Sequence, residues 1–364
     1  MVLPNVFIIL KKNGSKLLRI RYGLSPDGKL VKKAEIYTRN EHGIDLQGVD
    51  SSAIKIIRRL RKAGFKSYIV GGAVRDLLLG SQPKDFDIAT DARPRQIRSL
   101  FINSRIIGRR FRIVHIYYSS DHVIEVSTFR SLEKAASNNI YGIMEEDVWR
   151  RDFTINALLY CPFEQIIIDY VGGFEDIKRS RLRTLTPAER SFSEDPVRMI
   201  RAIKYSVQTG ILLPQTLSSA IKKLHGKIGE CSRERITEEI YKILQSGESV
   251  SIFYLLRRVK LLKVILPALD GLIAERGKGR LPLLKGLERL DNRIRQEPGK
   301  KLERGRLLAC LMEDLFLQGH LFKRRGIPLR EICDFLKSST KPLLPSIKDI
   351  NSAASLLFRK KTTP

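Results

Sequence analysis

The chain has 364 residues, with 67 Lys and Arg against 39 Asp and Glu, a net charge of +28, and 43% hydrophobic residues. That length and composition suit two or three packed domains and exclude a disordered chain. The basic excess calls for a polyanionic partner, nucleic acid before an anionic membrane surface.

No run of 18 apolar residues exists, so no spanning helix is expected. The apolar patch Val6–Leu10 lacks the basic flank and cleavage site of a signal peptide. The 4 cysteines and 5 histidines are scattered, which gives neither a zinc pattern nor a disulfide framework. A reducing, cytoplasmic setting follows.

Residues 1–38 read as a basic, β-rich appendage: a strand over Val6–Lys12, a turn at Asn13-Gly14, a strand over Lys16–Tyr22 and a second turn at Ser25–Gly28. Residues 50–66 read as a basic amphipathic helix with Ile54, Ile57, Leu60 and Ala63 on its apolar side. Strands are expected at 67–70, 84–90, 111–118 and 122–128, and a helix over Pro94–Phe101. Residues 131–146 are polar and aperiodic and read as a mobile loop, and Arg150-Arg151-Asp152 precede a buried helix. From Pro196 onward helical periods dominate. The expected architecture is an α/β head, a small mixed sheet with helices, followed by an all-helical remainder.

The chemistry concentrates in four stretches. Gly71-Gly72 end an apolar strand and open a helix, where free backbone N–H groups favour an anion. Asp85-Phe86-Asp87-Ile88 alternates, so a strand there puts both carboxylates on one face. Glu125 lies between apolar neighbours on another expected strand, and three acids on adjacent strands suit two Mg²⁺ ions, which take carboxylates and substrate phosphates.

Arginine's planar fork suits phosphate oxygens, so Arg151 beside Asp152 fits the same ligand, with Asp152 as a simple helix cap the plain alternative. Asp195 and Arg198, at i and i+3, present an acceptor and a donor side by side for a base edge. The plain alternative is that Asp195 caps a helix whose first residue is Pro196. Arg109, Arg110 and Arg112 would hold an RNA backbone without reading sequence.

The ordered stretches GGAVRDLLLG, DFD, IEVSTFR, RRDFTINALLY, DYVGGFEDI and EDPVRMIRAIKYS resemble the class II template-independent RNA nucleotidyltransferases. That family holds the tRNA CCA-adding enzymes and the bacterial poly(A) polymerases. The similarity runs from about residue 38 to 214. TRNEHGI and IIGRRFRIVHI look like the bacterial poly(A) polymerase branch.

The resemblance implies a polymerase-β-like head over 39–176, a helical neck with the base-reading motif over 177–246, and a helical body and short tail that bind RNA over 247–364. It implies that Asp85 and Asp87 bind the metals, helped by Glu125 or Asp152. It assigns Gly71, Gly72, Arg75 and Arg151 to the nucleotide, and Asp195 and Arg198 to the incoming base, with Arg201 nearby. Residues 1–37 have no counterpart, and the loop at 131–139 and the helical remainder are short for the branch.

The implied activity is AMP addition from ATP to RNA 3′ ends. The alternative is tRNA CCA addition from CTP and ATP. A basic RNA-binding protein without catalysis is the third reading, against which the intact Asp85 and Asp87 argue.

Overall fold

The computed structural model describes residues 7–12, 16–24, 30–108, 112–119, 122–133, 140–275, 284–297, 299–319 and 326–362, with side chains from Lys33 onward. The chain divides into two compact units, Met1–Leu185 and Thr186–Pro364.

The described strands of the first unit are β1 (Phe7–Lys12), β2 (Lys16–Leu24), β3 (Leu30–Thr38), β4 (Ser67–Val70), β5 (Asp87–Thr90), β6 (Ser104–Ile107), β7 (Ile113–Tyr117), β8 (Val123–Thr128), β9 (Leu159–Cys161) and β10 (Ile166–Asp169). They form a ten-stranded sheet in the order β1-β2-β3-β10-β9-β4-β5-β8-β7-β6. Among them β5 and β8 are the one parallel pair. Its helices are α1 (Arg39–His42), α2 (Ser51–Lys62), α3 (Gly72–Leu78), α4 (Pro94–Leu100), α5 (Met144–Trp149) and α6 (Gly173–Lys178).

The strands at 7–38, read from sequence as an appendage, belong to this sheet. β3 pairs antiparallel with β10, placing Ile36 opposite Ile168. Ala34 joins Val70, Ala89, Leu159 and Ile168 in one buried cluster. Burial of β3 against the central strands is what makes it part of the head. The two turns expected within this stretch lie outside the described residues.

Three other expectations shift. In α2 the buried apolar residues are Ala53, Ile56, Ile57 and Leu60. That is the i, i+3, i+4, i+7 face of a 3.6-residue helix, whereas strict three-residue spacing drifts off it. Residues 154–156 form only a 3₁₀ turn, and the run after it is β9, which pairs with both β4 and β10. A fully buried strand reads as a continuous apolar run, indistinguishable by pattern from a buried helix. Finally, α5 begins inside the stretch read as a loop.

The second unit is helical: α7 (Ala188–Glu194), α8 (Val197–Thr209), α9 (Gln215–Leu224), α10 (Arg233–Leu244), α11 (Ser249–Arg258), α12 (Leu262–Ile265), α13 (Pro267–Glu275), α14 (Lys285–Gln296), α15 (Arg304–Gln318), α16 (Leu329–Ser339) and α17 (Ile347–Thr362). A buried ion pair, Lys204 Nζ to Glu239 Oε2 at 2.5 Å, joins α8 to α10. No helix among the described residues is long and apolar enough to cross a membrane.

Candidate active site

The C-terminal end of β4 organises the head's site. Gly71 follows Val70 with φ 74° and ψ −137°, a conformation that side-chain-bearing residues rarely adopt. A Cβ there would stand 3.4 Å from Arg151 Nη1 and 3.8 Å from Asp87 Oδ2. The glycine is therefore needed for its backbone, while a Cβ would meet both side chains only at ordinary contact distance. A guanidinium and a carboxylate meet at that point.

Asp87 opens β5 between two partners. Val70 lies opposite it on β4, and Glu125 lies in register with it on the parallel strand β8. Register partners share a face, and Asp87 and Glu125 are both exposed, while Phe86 and Ile88 are buried on the other side. Asp85 is exposed just before the strand. Glu125 Oε1 lies 3.2 Å from His115 Nε2, so the third acid already has a partner.

Among the described residues no three His, Cys, Asp or Glu side chains converge as a metal site. Mg²⁺ nonetheless needs only one or two carboxylates when phosphates complete its shell. The exposed carboxylates Asp85 and Asp87 are a donor pair of that kind.

Two residues expected on ligands, Arg75 and Asp152, are buried and hydrogen-bonded within the head. Arg75 is 7% exposed; its Nη1 donates to Asn156 Oδ1 at 2.7 Å and its Nε to Asp76 Oδ1 at 2.8 Å. Burial pushes the Asp76 carboxyl up, and the adjoining Arg75 guanidinium only partly offsets this. Asp152 is 5% exposed, and its Oδ1 accepts from the Phe153 N–H at 2.8 Å and from Asn156 Nδ2 at 3.3 Å. Asn156 thus ties Arg75 to Asp152.

Arg151 is braced in turn: Nη2 lies 3.1 Å from Asp147 Oδ2, and Nη1 donates to the Asn156 carbonyl at 3.3 Å. Sequence reading missed Asn156, Asp76 and Asp147. The four-residue spacing of Asp147 and Arg151 was the available signal for the last. Arg112 is exposed at the start of β7, and Arg109 and Arg110 lie outside the described residues.

In the second unit, Asp195 sits in the break between α7 and α8. Its Oδ2 accepts from Arg235 Nη2 at 2.8 Å, while its buried Oδ1 has no hydrogen-bond partner among the described residues. Asp195 does not cap α8, whose N-cap is Pro196; its backbone is extended, φ −146° and ψ 90°, and its carboxylate is turned to Arg235. Arg198 Nη1 donates to Ser191 Oγ at 3.0 Å, and Arg201 Nη2 to the Tyr205 hydroxyl at 2.8 Å. The sequence suggested a pairing of Asp195 with Arg198; the structure assigns each a further partner, Arg235 and Ser191.

A mixed sheet that presents strand carboxylates beside a glycine turn has the form of a nucleotidyltransferase palm. Family models agree. Residues 67–183 match a poly A polymerase head domain, and residues 213–272 a probable RNA and SrmB-binding site of polymerase A. Poly(A) polymerase I of Salmonella typhi is 36% identical over 280 residues, covering 72% of this chain and 60% of the relative. A CC-adding tRNA nucleotidyltransferase of Halalkalibacterium halodurans is 35% identical over 199 residues, covering 55% and 50%. The solved CCA-adding enzyme of Bacillus stearothermophilus, in complex with CTP, is 30% identical with a TM-score of 0.58, covering 86% of this chain and 69% of that one.

The chain belongs to the class II template-independent RNA nucleotidyltransferase family. Its match spans 60% of the length of the Salmonella typhi relative.

Proposed function

We propose that the chain is a polynucleotide adenylyltransferase acting on RNA 3′ ends with ATP, in the cytoplasm. The observation that carries this is the approach of Asp87 and Arg151 to one point at the Gly71 turn. A triphosphate lies against that turn, with Arg151 on its oxygens. The buried Arg75–Asn156–Asp152 chain keeps the turn in shape.

Asp85 and Asp87 hold Mg²⁺, with Glu125, in register with Asp87 on β8, as the third acid. When bound, that ion neutralises charge on the phosphates and makes the attacking hydroxyl more acidic. The RNA 3′-oxygen forms a bond to the α-phosphorus, the bond from that phosphorus to the bridging oxygen breaks, and pyrophosphate leaves. The chain's own contribution is position and charge.

Asp195 Oδ1, buried without a donor among the described residues, is an acceptor for the amino group of adenine or cytosine, with Arg198 as the neighbouring donor. Uracil reverses that pattern and is refused. The exposed Arg112, with Arg109 and Arg110, holds the RNA backbone.

CCA addition is the second reading, favoured by the overlap with the CTP-bound enzyme. The identity to poly(A) polymerase I extends over 280 residues against 199 for the CC-adding relative, which supports tailing. Purified chain given ATP or CTP, with either a tRNA lacking its CCA end or an unstructured RNA, separates them. A long ladder on unstructured RNA with ATP alone supports tailing. Addition that stops within three nucleotides and needs CTP supports the second reading.

A further inference from the structure

Within the second unit, α14, α15 and α17 enclose a cavity of about 520 Å³. It lies outside both segments that match family models, 67–183 and 213–272. Leu290 and Leu357, each at most 2% exposed, form its apolar floor together with Ala309. Around them stand five cations: Arg289, Arg293, Arg306, Arg359 and Lys360.

One acid, Glu313, lines the same space and is bound by both Arg289 and Lys360. Its charge is met by those two, and Arg293 lies 3.5 Å from Glu297 Oε2, so the five cations outnumber the acids that face them. Arg306 has no ion-pair partner among the described residues. The volume falls in the range of small-molecule sites, roughly 300–1,000 Å³.

We propose that this cavity binds a nucleoside phosphate, with its base against the leucines and its phosphate on the arginines. A guanidinium serves both parts, since it stacks on a flat ring and forks onto phosphate oxygens. A bare inorganic anion makes no use of the leucines, and an alkyl carboxylate offers no flat ring for a guanidinium to stack on. The nucleoside phosphate is either a unit within single-stranded RNA or a free nucleotide. The assignment does not depend on catalysis in the head.

Cys310 supplies a local reporter. It lines the cavity half-buried, and burial pushes its thiol up. In the intact chain, alkylation of Cys310 is followed by peptide mass spectrometry with AMP, oligo(A), ribose 5-phosphate, pyrophosphate or decanoate present. AMP or oligo(A) should slow it about fivefold or more at saturation. Arg306→Ala, with an unchanged melting temperature, should raise the required concentration about tenfold, as for a lost charged hydrogen bond.

Protection by oligo(A) below the AMP concentration assigns RNA, and protection by AMP alone assigns free nucleotide. Protection by neither, or equal protection by pyrophosphate or decanoate, overturns the proposal. Because the readout is confined to this cavity, it is blind to nucleotide bound in the head. Should Cys310 resist alkylation without ligand, crosslinking with 8-azido-AMP decides instead. Labelled peptides from α14, α15 or α17 support the site, and their absence overturns it.

Discussion

Arg75 Nη1 donates to Asn156 Oδ1 at 2.7 Å across 81 residues of sequence, and Asn156 passes the contact on to Asp152. A buried guanidinium stripped of such a partner costs about 1–3 kcal/mol. Asn156→Ala should therefore lower the head's stability by that amount in urea unfolding and raise the KM for ATP, because the glycine turn loses its brace. Arg75→Lys should not restore either property, since an ammonium cannot span Asp76 and Asn156 as a fork does. Unchanged stability and unchanged KM in Asn156→Ala would remove Asn156 from the argument.

Asp85 and Asp87 make a different prediction. Both are exposed, so neutralising them removes no packing. Asp87→Asn and Asp85→Asn should each cut AMP incorporation on the order of 10³-fold or more while the melting temperature stays within about 2 °C. Activity within tenfold of the parent chain in Mg²⁺ would dismiss the metal assignment.

A pH effect on stability is written into His42. Its Nδ1 accepts from the Ile44 N–H at 3.0 Å, so Nε2 carries the proton and faces the Gln165 carbonyl at 3.0 Å. Burial then holds the imidazole below its ordinary pKa. With the folded value depressed, the neutral form is the one the fold prefers. This contribution is fully present above the unfolded value, about 6.5, and is lost as pH falls below it toward the folded value. His42→Gln should flatten the part of the urea-midpoint profile between about pH 7 and 5 that His42 contributes. An identical slope in both proteins would reject the assignment.

The glycine turn, the Asp-x-Asp alternation and the β5 and β8 strands were legible because each is a local pattern with a local cause. A two-residue period exposes Asp85 and Asp87 and buries Phe86 between them, although β5 itself begins only at Asp87. What stayed hidden depends on partners distant in sequence. Leu159–Cys161 is apolar throughout, and only its pairing with Ile69-Val70 and Ile166–Ile168 makes it a strand. The contacts of Arg75 with Asn156, 81 residues away in sequence, carry no local signature. The membership of β3 in the head is of the same kind, since Ala34 and Ile36 are unremarkable until Ile168 lies beside them.

Nucleotide choice gives the last prediction. A chain without a nucleic-acid template reads the incoming base with side chains, and adenine presents a donor beside an acceptor. Asp195 Oδ1 is an acceptor with no protein donor among the described residues, held in place because Arg235 grips the other oxygen. Arg198 is steadied by Ser191. A site that hydrogen-bonds one edge refuses the wrong base because buried polar groups are then left unpaired. Arg198→Ala should erode the preference for ATP over UTP by about 1–3 kcal/mol in kcat/KM, five- to more than a hundredfold, with little change in RNA affinity. Ser191→Ala should produce a smaller loss of the same kind, because it frees the guanidinium without removing it. Equal slowing of all four nucleotides by Arg198→Ala would show that this arginine holds triphosphate or braces α8, and base reading would then rest on other residues.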